Sequence, residues 1–236
     1  LFRSMTFEAG KAQETTLTES RGNFLAQYDP SGTLIWAELL KVTGSVGIYD
    51  IECLPDGSLM MAGNAAGTLV FDAGGPNETT LPVSSGTRSF VSKWTADREL
   101  VWVSASGEVQ RLHGFSMACG PDGIWYISGY FDTSVVFGQG ELNETTLTSA
   151  GDEDIFVAKF APDGSLSWAT RAGGTDGDRG SAIDLRADGT IITTGYILDS
   201  AVFGAGEANE SVVTSNGSYD IFRSEERRVG KECRSR

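Results

Sequence analysis

One interval governs this chain. Trp36, Trp102 and Trp168 stand 66 residues apart. The same holds for Gly63, Gly129 and Gly195, and for Phe71, Phe137 and Phe203, with Phe7 lying 64 residues before Phe71. Whole segments follow the interval. Ser-Phe-Val-Ser-Lys-Trp (89–94) aligns with Ile-Phe-Val-Ala-Lys-Phe (155–160), and Asn-Glu-Thr-Thr-Leu occurs at 77–81 and again at 143–147. Glu14-Thr-Thr-Leu17 is an earlier copy of that element. Recurrence this dense means a stack of one supersecondary unit, each copy burying its apolar face against the next.

Within a unit every local signal is β. Asp-Gly pairs at 56–57, 122–123, 163–164 and 188–189 sit between short β-rich runs. Such a pair tolerates positive φ and matches strand twist, so each predicts a tight antiparallel hairpin. Ser31-Gly32 serves in an earlier unit, and Asp97-Arg98 departs from the pattern. No segment carries ten residues of helical periodicity. In the best-preserved stretch four strands are predicted: 182–186 innermost, 190–196 second, 155–160 third and 165–170 outermost. The third is apolar on both faces, as a strand packed from both sides must be. The segment from Val136 to Thr148 predicts an additional hairpin at the edge, which lengthens the unit beyond about 40–50 residues. The repeated tryptophan is expected to dock from the outer strand onto the next unit, since a buried indole contributes up to about 5 kcal/mol.

These features predict an all-β fold: an incomplete β-propeller built of four-stranded blades of about 66 residues, each with an inserted hairpin. Residues 1–43 supply a partial blade, 44–106 and 107–173 whole blades, and 174–222 a truncated one. Two whole and two partial blades cannot close, so exposed edges and a tendency to aggregate are expected. Arg223 to Arg236 reads RSEERRVGKECRSR. It matches, codon for codon, a translated short-read sequencing adapter, and 223–236 is set aside as a non-native tail.

The net charge is −14, and −17 without that tail. An acidic surface disfavours nucleic acid and anionic membrane as partners. No apolar run reaches the length of a spanning helix, so no membrane insertion is expected, and Leu1 to Gly10 lack the charged and apolar regions of a signal peptide.

Candidate chemistry is sparse, and no catalytic or cofactor-binding residue is assigned. His113 is the only histidine; with no repeated counterpart and no Cys or Asp cluster nearby in sequence, it reads as structural or surface. Cys53 and Cys119 share a repeat position with Leu185 and read as core, while Cys233 falls in the tail. Asp152 and Asp154, with Asp176 and Asp178, offer oxygen ligands of the kind Ca²⁺ takes. They lack an EF-hand spacing, so solvated turns are the favoured reading and no metal is assigned, with Ca²⁺ kept as the alternative. Sequons begin at Asn77, Asn143, Asn209 and Asn216; three share a repeat position, which a repeated turn explains.

Asp154–Trp168, Gly173–Asp178 and Ala182–Tyr196 together resemble the bacterial β-propeller repeat family of the SBBP type. The resemblance covers nearly all of 1–222. It implies a secreted or cell-surface bacterial protein, and says little about ligand. The function expected is therefore a non-enzymatic, extracytoplasmic module that binds or scaffolds an unknown protein or polysaccharide. The alternative is a fragment of a propeller enzyme, a polysaccharide lyase or hydrolase, with its site in other blades. The inner strands Ile51-Glu52-Cys53, Met117-Ala118-Cys119 and Ile183-Asp184-Leu185 offer no converging acid–base set.

Overall fold

Glycine and Asp-Gly punctuation cuts the chain into short strands, and a computed structural model shows how they pair. It describes residues 4–11, 14–18 and 23–226. The strands are β1 (Met5–Phe7), β2 (Thr15–Leu17), β3 (Phe24–Tyr28), β4 (Leu34–Leu39), β5 (Val42–Cys53), β6 (Leu59–Phe71), β7 (Thr79–Leu81), β8 (Arg88–Trp94) and β9 (Leu100–Ala105). They continue as β10 (Leu112–Cys119), β11 (Trp125–Phe131), β12 (Ser134–Phe137), β13 (Thr145–Thr148), β14 (Asp154–Phe160), β15 (Leu166–Ala172), β16 (Arg179–Leu185), β17 (Ile191–Phe203) and β18 (Ser211–Glu226). Among the described residues every strand pairing is antiparallel and no helix occurs.

Two sheets share one plan. The second sheet runs β5-β6-β8-β9, with β7 added to β6, and the third runs β10-β11-β14-β15. The first contributes the pair β3-β4 and the fourth the three strands β16-β17-β18. The inserted hairpins are β1-β2, β6-β7, β12-β13 and the β17-β18 extension. One aromatic pair pins each hairpin to the third strand: Phe7–Phe24, Phe71–Phe90, Phe137–Phe156 and Phe203–Phe222, with centroids 5.3, 5.0, 5.0 and 5.0 Å apart.

The Asp-Gly pairs sit at hairpin turns. Asp56, Asp122, Asp163 and Asp188 each accept a hydrogen bond from the backbone N–H two residues on, and the glycines adopt positive φ. Arg98 occupies the repeat position of Gly32 and Gly164 and also takes positive φ, 64°. That left-handed geometry is strained for a side-chain-bearing residue.

The repeated Gly63, Gly129 and Gly195 have a different cause. The first strand bulges in each unit, between Ile48 and Asp50, Gly114 and Ser116, and Gly180 and Ala182. The bulge lays a carbonyl over the second strand. A Cβ on the glycines would fall onto the oxygens of Gly47, His113 and Arg179 respectively. Only glycine permits that approach.

Sheets stack face to face, closest at their first two strands. β10 packs on β5 and β6, and β16 packs on β10 and β11. One seam buries Met60, Ala62 and Val91 against Trp125, Ile127, Phe156 and Phe160. The next buries Tyr126, Val157 and Ile155 against Ile183, Ile191, Ile197 and Phe222. Trp102 reaches forward from β9, stacks on Trp125 at 5.8 Å and lies against the Gly164 turn. Trp168 joins the Ile183–Ile191 seam, and Trp36 lies under the Arg98 guanidinium at 4.4 Å.

Of the two cysteines expected in the core, only Cys53 departs from that role; Cys119 packs against the core. Cys53 ends its strand exposed, because β5 has no sheet covering that corner. Cys119 is half-buried, and burial pushes its thiol up to about 11. Of the segment set aside as a tail, Arg223–Glu226 continues β18 and pairs with Ile191–Thr194. Cys233 and the rest of 227–236 lie outside the described residues. No helix of the described residues is long and apolar enough to cross a membrane.

Candidate functional site

At the end of the first strands where the chain enters each sheet, the repeat stops repeating. Positions 47, 113 and 179 are Gly, His and Arg; their cross-strand partners 64, 130 and 196 are Asn, Tyr and Tyr. The side chains of His113 and Arg179 each wedge between their own partner and the preceding sheet. His113 lies over Tyr130 at 5.1 Å and 24°, with Tyr49 at 6.3 Å. Its Nδ1 is 3.0 Å from the Asn64 side-chain nitrogen. The Asn64 oxygen accepts the Gly114 N–H at 3.2 Å, so the amide nitrogen donates to an unprotonated Nδ1. Burial, then the Arg179 charge, lowers the His113 pKa, and the ring is neutral at pH 7.

Arg179 continues the stack. Its guanidinium lies 4.5 Å from the Tyr130 ring and 5.7 Å from Tyr196, which meets Tyr219 edge-on at 5.3 Å. Cation–π contacts of this kind contribute roughly 0.5–2 kcal/mol each. Glu153, almost fully buried, holds the ladder from beneath. It pairs with Arg179 and, at 3.4 Å, with Arg111. Arg111 and Tyr49 face solvent.

The four aspartates do not form one centre. Asp154 and Asp178 are sealed rather than solvated, because the fourth sheet covers them. Asp178 accepts the N–H groups of Gly174 at 2.7 Å and Leu198 at 2.9 Å. Asp154 accepts the Ala150 N–H at 2.9 Å and pairs with Arg171 at 2.6 Å. Burial raises the Asp154 carboxyl and pushes Asp178 up to about 6. Asp152 is exposed and Asp176 takes only a Thr175 hydroxyl. Among the described residues no three of His, Cys, Asp and Glu are grouped to hold a metal ion. The equivalents of Asp178 and Glu153 one unit earlier are Leu112 and Thr87, so these carboxylates distinguish one seam from the other.

Two of the sequon asparagines, Asn77 and Asn143, are structural braces. The amides of Asn77 and Asn143 donate to the carbonyls of Leu100 and Leu166, at 2.6 and 3.1 Å. On the free side of the first strands lie Asp50, Glu52 and Asp184; burial, then its two acidic neighbours, raises Glu52.

Sequence reading missed the ladder. Its signal was present: one repeat position reading Gly, His, Arg is a place where packing does not dictate the residue.

No protein-family model matches the chain. It is 25% identical over 180 residues, 65% of this chain, to an uncharacterized WD repeat-containing protein of Acanthamoeba polyphaga mimivirus. It is 27% identical over 196 residues, 81% of this chain, to the regulatory protein FlaEY of Caulobacter vibrioides. The matched regions span 13% and 20% of those two proteins. These likenesses agree with a repeat fold rich in β-structure.

Proposed function

We propose that the stacked sheets are blades of a β-propeller, of the bacterial SBBP type, and that the chain is a non-enzymatic module binding a protein or polysaccharide outside the cytoplasm. The closeness of neighbouring sheets at their first strands supports a radial arrangement. Likeness to a WD repeat-containing protein supports an interaction role. The observation that carries the reading is the ladder. Unrepeated Asn64, His113 and Arg179, with solvent-facing Tyr49 and Arg111, gather at one end of an otherwise repeating scaffold. Aromatic faces beside guanidinium groups suit both sugar rings and peptide surfaces.

A polysaccharide array and a panel of secreted proteins, probed with the intact chain, test this. A ligand is expected whose binding falls at least about tenfold in Tyr49→Ser and Arg111→Ser and is unchanged in Leu142→Ser at a hairpin tip. Binding insensitive to the first two places the site elsewhere. The raised Glu52 beside Asp50 and Asp184 gives the enzyme alternative its one foothold. Cleavage of a bound polysaccharide, abolished by Glu52→Gln, would replace the non-enzymatic reading.

A further inference from the structure

The four sequon asparagines do not stand alike. Asn77, Asn143 and Asn209 share one repeat position, and each is followed by Glu. Asn216 occupies another position, held by Ser84 and Ala150 in the two units before it. Of the six asparagines it alone precedes glycine. The turn that carries it interrupts β18. Ser200 pairs with Thr214 and Leu198 with Tyr219, so 215–218 loop out of the ladder opposite Asp199. The Asn216 N–H donates to Asp220 Oδ2 at 2.5 Å, and the Ser215 hydroxyl donates to the Gly217 carbonyl at 3.1 Å. Both bonds hold the backbone. The Asn216 side chain is exposed and makes no hydrogen bond among the described residues. Ser84 and Ala150 are exposed too, although a further sheet follows each. The accessibility therefore belongs to the turn and not to the last sheet. The Asp-Gly turns are built otherwise. Asp56, Asp122, Asp163 and Asp188 fix Oδ1 on the N–H two residues on. An ionised carboxylate also resists attack by an amide nitrogen, whereas a carboxamide accepts it.

We propose that Asn216 is a modification site, at which the chain converts its own asparagine to aspartate and isoaspartate. The Gly217 backbone nitrogen attacks Asn216 Cγ and forms a new C–N bond. The Cγ–Nδ2 bond breaks, and Nδ2 leaves as ammonia, taking the proton of the attacking amide. Water then adds to either carbonyl of the resulting succinimide and opens the ring, giving aspartate or isoaspartate. Neither an oxidant nor a second protein is consumed. Glycine favours the step because it has no Cβ to crowd the attacking nitrogen. The product carries an added negative charge beside the Asp220 carboxylate. In the isoaspartate form the main chain runs through the side-chain methylene and is longer by that carbon. The extra length falls between the Ser200–Thr214 and Leu198–Tyr219 pairs, so it loosens Tyr219 from Tyr196, which it meets at 5.3 Å.

Peptide mapping by mass spectrometry, on full-length chain aged in mildly alkaline buffer, tests this. The peptide that holds Asn216 should gain the mass difference between an amide and an acid. It should also split into two chromatographic species, aspartate and isoaspartate. Peptides holding Asn77, Asn143 and Asn209 should stay unchanged over the same period. Position 217 is not in the left-handed region, and a Cβ there meets no atom within 4 Å. Gly217→Val should therefore fold, and should slow the conversion at least about tenfold by crowding the nitrogen. The unsubstituted chain carries the test if that variant folds poorly. An intact Asn216 amide in the folded chain, under conditions in which the urea-unfolded chain converts, overturns the proposal. Equal conversion at the exposed Asn209 overturns it as well, because the turn and its glycine would then confer nothing.

Discussion

The third and fourth sheets are two copies of one repeat in different surroundings. β11 and β14 are buried at every residue, because sheets lie on both sides. β17 alternates buried and half-exposed residues along Ile191–Leu198, because only its rear face is covered. The sharpest contrast is one repeat position: Ile155 is 1% exposed and Ile221 is 87% exposed. Strand identity is therefore local, written in the Asp-Gly turns and the apolar runs. Burial is a property of the stack, and a unit acquires it only from its neighbours.

Changes at matched positions separate these two contributions. Gly129→Ala is expected to have the largest effect, about 3 kcal/mol or more, because the His113 carbonyl occupies the new methyl's place and both neighbouring sheets resist a shift. Gly195→Ala meets the Arg179 carbonyl in the same way, but its sheet is free to move on one side and the loss should be clearly smaller. Equal losses by chemical denaturation would show that the bulge, not the stack, sets the penalty. Ile155→Ala should lower stability by about 2–4 kcal/mol and Ile221→Ala by less than about 0.5. Trp102→Ala removes a stacked, half-buried ring and should cost about 2 kcal/mol; Trp36→Ala removes chiefly the Arg98 contact and should cost about 1. Reversal of that order would remove the assigned role of Trp102 between sheets.

The acidic seam adds an effect that depends on pH. The carboxyl of Asp178 lies near 6 when folded, above its ordinary 3.8, so folding favours its protonated form. Its contribution is complete below about pH 4 and is lost as pH rises through about 6, a change on the order of 1 kcal/mol. Turn carboxylates act oppositely. Hydrogen bonds from Ser31, Ser58 and Ser165 hold Asp29, Asp56 and Asp163 below their usual range, and that support disappears as pH falls through it. The melting temperature should rise between about pH 7 and pH 5 and fall below about pH 4. A monotonic fall from pH 7 would show that Asp178 is not sealed between the sheets.

Much of this architecture is legible from residue order alone. Asp56-Gly57 and Asp188-Gly189 carry their turns in their own chemistry, and the 66-residue interval aligns the units. The role of Gly129 is visible only as recurrence, since its cause lies in a bulge across the strand. The ladder is hidden for another reason. Asn64, His113 and Arg179 come together through sheets stacked face to face, which no local pattern encodes. The sealing of Asp178 likewise depends on the sheet beyond it, so its sequence neighbours suggest a solvated loop.

Native-state hydrogen exchange tests the central contrast most directly. Amides of β11 and β14 should open only with global unfolding, those of β17 more readily, and those of Ile221–Glu226 most readily of all. Equal protection of β14 and of Ile221–Glu226 would contradict the account, because it would mean that burial does not depend on a neighbouring sheet.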